Sequence, residues 1–224
     1  MNNLIIDCKE ISKSFLDGST QIAVLNKINL QVSRGEKIAI IGRSGSGKTT
    51  LLQLLGGLDQ PTTGTIKIDN IDLSNTIEKD QAKLRNKHIG FIYQLHHLIS
   101  EFTAVENTLL PLLLNGQSLH LAKNLAIKLL TQIGMGHRLN FYPNQLSGGE
   151  KQRVAIARAI INNPTCILAD EPTGSLDLLS ANIVMDSMEE LANKYNTAII
   201  MVTHDLSFAS RFDKIYTLEN SKLI

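Results

Sequence analysis

Residues 36–55 read EKIAIIGRSGSGKTTLLQLL, and the fold follows from them. A short apolar run ends in glycine, a glycine-rich segment follows, and then leucines recur at helical spacing. Inside this stretch Gly42–Thr49, GRSGSGKT, has the spacing G-x-x-x-x-G-K-[ST] directly after a strand and opening a helix. Gly42, Arg43, Ser44, Gly45, Ser46 and Gly47 then form a loop whose backbone N–H groups turn inward toward phosphate oxygens. The helix that begins at Lys48 adds a partial positive charge of about +0.5 at its start. Lys48 is expected on the β- and γ-phosphates, Thr49 on Mg²⁺, and Thr50 beside them. The segment predicts a nucleoside-triphosphate site in an α/β domain.

The strands around it fit that class. LIIDCKEISKSF (4–15) and AVLNKINLQV (23–32) flank DGST and predict an antiparallel pair, while IKI and IDL flank Asp69-Asn70, suited to a tight turn. From about residue 95 to 160 the helical period dominates. After 164 the pattern alternates, with TCILAD, a helix LLSANIVMDSMEELANKY, and TAIIMVTHD. Continuous apolar strands separated by helices predict a mostly parallel sheet covered on both faces.

Two strand ends supply what a phosphate loop needs. ILAD ends at Asp170 with Glu171 next, and a carboxylate at a strand's C-terminal end faces the ligand crevice of an open α/β sheet. Asp170 is expected to hold Mg²⁺ through its water shell and Glu171 to orient or polarise the attacking water. His204 ends TAIIMVTHD at the same crevice and is expected on the γ-phosphate. Leu146–Arg153, LSGGEKQR, begins a helix with Ser147 and Glu150 as a capping box. Two glycines in a first turn each cost up to ~1 kcal/mol relative to alanine. Gly148 and Gly149 instead leave bare N–H groups open to an anion, a second phosphate-binding surface.

These strings, with Gln94, the Ser175-Leu176-Asp177 segment and His204, resemble the nucleotide-binding subunits of ATP-binding cassette (ABC) transporters over essentially the whole chain. The resemblance implies a P-loop NTPase (RecA-like) core with an N-terminal antiparallel β subdomain and an inserted helical subdomain. The core would comprise 1–93 and 161–224, and the helical subdomain 94–160, in one nucleotide-binding domain. It implies ATP and Mg²⁺ as cofactors and a head-to-tail homodimer, with Ser147, Gly148 and Gly149 completing the partner copy's site and Asp177 at the seam. Phe15 matches the aromatic that stacks on adenine, a position where tyrosine is more usual. Gln94 matches the residue that couples the Mg²⁺ site to the helical insertion.

The run YQLHHLISEFTAVENTLLPLL, with LLGGLDQPTTG, is similar to the branch of that family that releases lipoproteins from the bacterial inner membrane. Related macrolide or peptide exporters and a cell-division ATPase are the alternative. Integral permease subunits are the implied partners, with no direct lipoprotein contact. His96 and His97 admit three readings (metal ligands, packing residues, or contact with the membrane partner), and the last is the expectation. Adjacent histidines on a helix would point about 100° apart.

Composition narrows the rest. A formal net charge of +1 offers no basic field for nucleic acid, and only a short segment separates Gln94 from Ser147, leaving no room for a DNA-repair insertion. A single LSGGE speaks against a two-cassette translation factor. The longest mid-chain apolar run, LLPLLL, is too short to span a bilayer, and the N-terminus lacks a secretory pattern. Cys8 and Cys166 are expected as buried packing residues in a reducing compartment, at the cytoplasmic face of the inner membrane.

Overall fold

A computed structural model describes residues 4–18, 20–73 and 76–224. The N-terminal segment folds as expected: β1 (Leu4–Asp17) and β2 (Thr20–Ser33) pair antiparallel, and Ser19 of the DGST string lies outside the described residues. After β3 (Lys37–Ile41) and α1 (Lys48–Leu55), strands β4 (Thr63–Ile68) and β5 (Ile71–Asp72) join β1 to give a sheet ordered β2-β1-β4-β5. Asp69 and Asn70 take φ of 49° and 66° in the β4–β5 turn, the left-handed pair that a two-residue hairpin requires.

The second sheet is six-stranded. It is built from β3, β6 (Ile89–Tyr93), β7 (Cys166–Asp170), β8 (Ala198–Thr203), β9 (Lys214–Glu219) and β10 (Lys222–Leu223), in the order β10-β9-β3-β8-β7-β6. All neighbours are parallel except β10, which returns antiparallel along β9. Its central strands are apolar throughout because alternate residues enter two different cores. Ile38, Ile40, Leu168, Ile200 and Val202 face the antiparallel sheet and α1, while Ala39, Ile167, Ala169, Ile199 and Met201 face the helices on the other side. Both cysteines are buried, and burial pushes both thiols up.

The helices of that other side are α3 (Ala104–Leu114), α4 (Leu119–Gln132), α5 (Gly148–Ile160) and α6 (Leu178–Tyr195), with a short α7 (Leu206–Ala209). The remaining helix, α2 (Glu78–His88), packs beside β6 and was missed in the sequence, as were β6, β9 and β10. EKDQAKLRNKH is charged almost throughout and buries only Gln81, Leu84 and His88, so it shows no apolar stripe. Among the described residues no helix is long and apolar enough to cross a membrane.

One expectation fails. Helix does not begin near residue 95: residues 94–103 form a loop in which His96 and His97 take φ of 63° and 46°. The histidines are therefore not on a helix but in two consecutive left-handed residues. Two polar side chains impose this course. Arg158 of α5 donates to the His96 and His97 carbonyls at 2.7 and 2.6 Å. Asn107 of α3, fully buried, donates to the Ile99, Phe102 and Thr103 carbonyls and accepts from Ile99 N–H. Thr103 and Glu106 then cap α3 reciprocally. Asn107→Leu keeps the branched shape and strands these backbone groups. It should lower unfolding free energy by about 2–4 kcal/mol, read from the shift in denaturant midpoint at constant slope.

Candidate functional site

A cavity of about 760 Å³ opens at the C-terminal ends of β3, β7, β8 and β6. Its floor is the loop after β3. Gly45 and Gly47 hold φ of 77° and 100°, and a Cβ at Gly47 would lie 2.8 Å from Val24 of β2, so only glycine lets β2 close over the loop. Lys48, almost fully buried, donates to the Gly42 and Arg43 carbonyls at 2.7 and 3.0 Å. Its ammonium is thus held across the loop. Ser44, Gly45, Gly47, Lys48, Thr49 and Thr50 line the cavity, together with Val24, which sequence reading missed. Gly42, Arg43 and Ser46 instead line a cleft of about 360 Å³ on the loop's far side, against Thr217–Asn220.

Opposite the loop stand the strand-end carboxylates. Thr49 donates its hydroxyl proton to Asp170 Oδ2 at 2.8 Å, joining the start of α1 to the end of β7. Burial raises the Asp170 pKa, with the Thr49 bond and Lys48 opposing it and Glu171 adding to it. A half-buried carboxylate short of countercharge beside a hydroxyl is a hard-oxygen pair of the kind Mg²⁺ takes. Glu171 has φ of 46°, which turns the chain sharply after β7, and its N–H bonds the Val202 carbonyl. Its Oε2 accepts from His204 Nδ1 at 2.8 Å and from the Thr203 hydroxyl at 3.4 Å. The expected trio of Asp170, Glu171 and His204 therefore meets in one cavity, joined by Gln94 at the end of β6. Gly174 makes room for that glutamine, since a Cβ there would lie 2.9 Å from Gln94 Nε2.

The residues expected to serve a partner copy also lie outside this cavity. Ser147 is exposed at the start of α5, where its Oγ accepts from Glu150 N–H at 3.3 Å and Glu150 Oε2 accepts from Ser147 N–H at 2.8 Å. Arg138 bonds the other Glu150 oxygen at 2.9 Å. Gly148 and Gly149 follow, and the structure adds a packing reason for both. A Cβ at Gly148 would sit 3.1 Å from Leu176, and one at Gly149 3.3 Å from Ser180. Asp177 caps α6, accepting from Ser180 N–H at 3.0 Å, and the Ser180 hydroxyl and N–H hold its carboxyl below the usual range. Ser147, Gly148 and Asp177 are exposed on one edge, with Gly149 buried behind them, and none of the four lines the cavity at the loop of the same chain. Phe15 also stands outside the cavity lining, on β1 opposite Ile22, close in sequence register to Val24.

A second concavity, about 310 Å³, lies beside the histidine loop and is lined by Asn86, Phe91, Tyr93, His97, Pro111 and Arg158, among others. Phe91 and Tyr93 stack at 5.6 Å, and the His97 ring meets Tyr93 edge-on at 4.8 Å. Burial raises the Tyr93 pKa and lowers that of His96. Arg158 was not singled out in the sequence, although an arginine inside VAIARAII is the signal that marks it.

Comparison with known proteins places this geometry. Residues 25–174 match the family described as ABC transporter. A lipoprotein-releasing system ATP-binding protein LolD from Legionella pneumophila (strain Paris) is 50% identical over 223 residues, covering 100% of this chain and 98% of the relative. The protein of that name from Pseudoalteromonas translucida is 48% identical over 223 residues, covering 100% and 96%. Among solved structures, a dimeric post-hydrolysis state of the ATP-binding cassette MJ0796 bound to ADP and Pi superposes with a TM-score of 0.90. It is 37% identical, with 97% of this chain and 96% of that one covered. The match across two thirds of the chain and the full-length likeness to these relatives lead to one conclusion: this chain belongs to the ABC transporter family.

Proposed function

We propose that the chain is the ATP-hydrolysing subunit of a transporter that releases lipoproteins from the bacterial inner membrane. The observation that carries the chemistry is the single cavity in which the phosphate loop, the Thr49–Asp170 bond and the Glu171–His204 pair converge. The observation that carries the branch is the full-length identity to proteins named for lipoprotein release. The division into a core (1–93 and 161–224) and a helical subdomain (94–160) belongs to the same proposal.

In this reading the triphosphate lies along the loop, with Lys48 exchanging one of its backbone carbonyls for β- and γ-phosphate oxygens. The N–H groups of Ser44 to Thr50 hold the α- and β-phosphates. Mg²⁺, when bound, neutralises phosphate charge, and Thr49, Asp170 and Gln94 are the residues that would hold it. Glu171 takes a proton from a water placed in line with the γ-phosphate. Oxygen attacks phosphorus as the bond to the β-phosphate oxygen breaks, and ADP leaves. The His204 Nδ1–H bond fixes the carboxylate's rotamer, and with a proton on Nε2 as well that nitrogen donates to the γ-phosphate. A second copy, head to tail, supplies Ser147 and the N–H groups of Gly148 and Gly149 to the γ-phosphate's open side, with Asp177 at the seam. The edge on which those residues lie suits that role, because none of them lines the cavity of their own chain.

Integral permease subunits of the lipoprotein-releasing type hold this dimer at the cytoplasmic face of the membrane. Each sends a short segment into the concavity beside His97. The chain itself touches neither lipoprotein nor nucleic acid. A macrolide or peptide exporter of the same family would use the same ATP chemistry, and identifying the co-purified membrane subunits by mass spectrometry separates the two.

Glu171→Gln keeps the shape and the His204 contact but removes the base. ATP affinity should change less than about three-fold, while the steady-state hydrolysis rate falls by roughly a hundred-fold or more. The variant should elute as a dimer with ATP; unchanged turnover would show that another group takes the proton. His97→Asn tests the membrane contact, since asparagine tolerates the left-handed backbone there while losing the ring on Tyr93. Yield of the membrane subunits in co-purification should drop with nucleotide affinity unaltered; full recovery of the complex would move the contact elsewhere.

A further inference from the structure

The string LLGGLDQPTTG plays no part in the chemistry above, yet it runs directly from α1 to β4. Gly56 and Gly57 close α1 with bonds to the Leu52 and Leu54 carbonyls, and Leu58 N–H bonds the Gln53 carbonyl. The following turn is stitched to β1 on both sides of one residue: Thr62 N–H donates to the Ser12 carbonyl at 2.8 Å, and Ser14 N–H donates to the Thr62 hydroxyl at 3.1 Å. That residue is Lys13. Its Nζ donates to Asp59 at 2.8 Å and to the Gln60 carbonyl at 2.8 Å, and its side chain is only 13% exposed. The same ammonium stands 5.1 Å from the centroid of the Phe15 ring, two residues along the strand.

A lysine on a strand near an exposed aromatic ordinarily extends into water, because ordering a long side chain costs entropy. Here it is bent back and gripped. Two of its three donors go to Asp59 and Gln60, leaving one donor and the charge itself for the ring. A held cation on one face does two things to phenylalanine. It fixes the ring against rotation away from the strand, and it reserves the opposite face as the stacking surface. Phe15 is 44% exposed. It also lacks the hydroxyl that a tyrosine could use to anchor itself.

We propose that Lys13, clamped by Asp59 and the Gln60 carbonyl, is a positioning residue for the nucleotide's base, acting through the Phe15 ring. The inference rests on reading Phe15 as the stacking aromatic. The clamp also ties the two ends of the nucleotide site together. Helix α1 starts at the phosphates with Lys48 and leads into the turn that holds Lys13, so one element sets both the phosphate and the base position. An ordinary surface ion pair would account for Lys13 and Asp59 but not for the ring contact or for the carbonyl that completes the grip.

The test is a double-mutant cycle on the full chain, with ADP and inorganic pyrophosphate as titrants in calorimetry, so that neither turnover nor dimerisation enters. Lys13→Met should weaken ADP binding about three-fold and leave pyrophosphate binding unchanged, whereas Lys13→Arg should restore ADP affinity. In a Phe15→Leu background, Lys13→Met should cause no further loss. Asp59→Asn, which loosens the clamp without removing the cation, should shift ADP affinity in the same direction by less. Retained pyrophosphate binding reports that each variant is folded. Equal losses for ADP and pyrophosphate would assign Lys13 to phosphate attraction and overturn the inference. So would equal losses with and without the Phe15 ring. If Phe15→Leu itself leaves ADP affinity unchanged, the stacking assignment fails, and the inference fails with it.

Discussion

Parallel register is the constraint on which the site depends. Ile41 pairs with Thr203, Val202 with Asp170, and Asp170 with Tyr93, so β3, β8, β7 and β6 end at one level. The residues that follow these ends are Gly42, His204, Glu171 and Gln94, one from each strand. With neighbouring strands about 4.8 Å apart, four ends span about 14 Å, the scale of an extended triphosphate and its attacking water. None of these residues is near another in sequence except where strands bring them. Slipping any one strand by a single residue would turn its terminal side chain to the opposite face and take it out of the row. The two cores enforce the register, because the same slip would exchange Ile200 and Val202 with Ile199 and Met201 between cores of different shape.

What the sequence made legible follows from this. A strand end bearing a glycine-rich loop, an aspartate–glutamate pair or a lone histidine is visible one segment at a time, and the fold rule that ligands bind at such ends joins them. The antiparallel pair and the Asp69-Asn70 turn were legible for a similar reason, since their chemistry is local. Helix α2 was not, because it is held by Gln81, which bonds the Leu73 and Thr76 carbonyls, and by little apolar surface. The histidine loop was misread as helix because its conformation comes from Arg158 and Asn107, which lie 61 and 10 residues away from His97 and cannot be weighed in a local window. The clamp on Lys13 is distant in the same sense: the string that holds it was visible, but its partner was not.

The glycines of the LSGGE segment carry two constraints at once. Bare N–H groups at a helix start suit an anion, and the absence of side chains lets Leu176 and Ser180 come to 3.1 and 3.3 Å from where a Cβ would sit. Either requirement alone would exclude most residues. Together they bind the start of α5 to the start of α6, and Asp177, which caps α6, comes with them. The edge that carries Ser147 and Asp177 is therefore one unit rather than three separate loops.

Helix α5 carries that linkage further. Ser147 caps its start at the exposed edge. Gln152, one turn on and fully buried, donates to the Tyr93 carbonyl at 3.4 Å, immediately before Gln94. Arg158, near its end, holds the His96 and His97 carbonyls beside the aromatic concavity. From Ser147 to Arg158 the helix rises roughly 16 Å. A continuous helix of that length does not bend at little cost, and this one has no proline or glycine past its first turn to relax it. Displacement of the histidine loop must therefore either break two short bonds to Arg158 or move α5 as a body. The first costs both charge-assisted bonds at once, because the part-buried guanidinium would lose the two carbonyls that it holds. Moving the helix would carry the Ser147 edge with it.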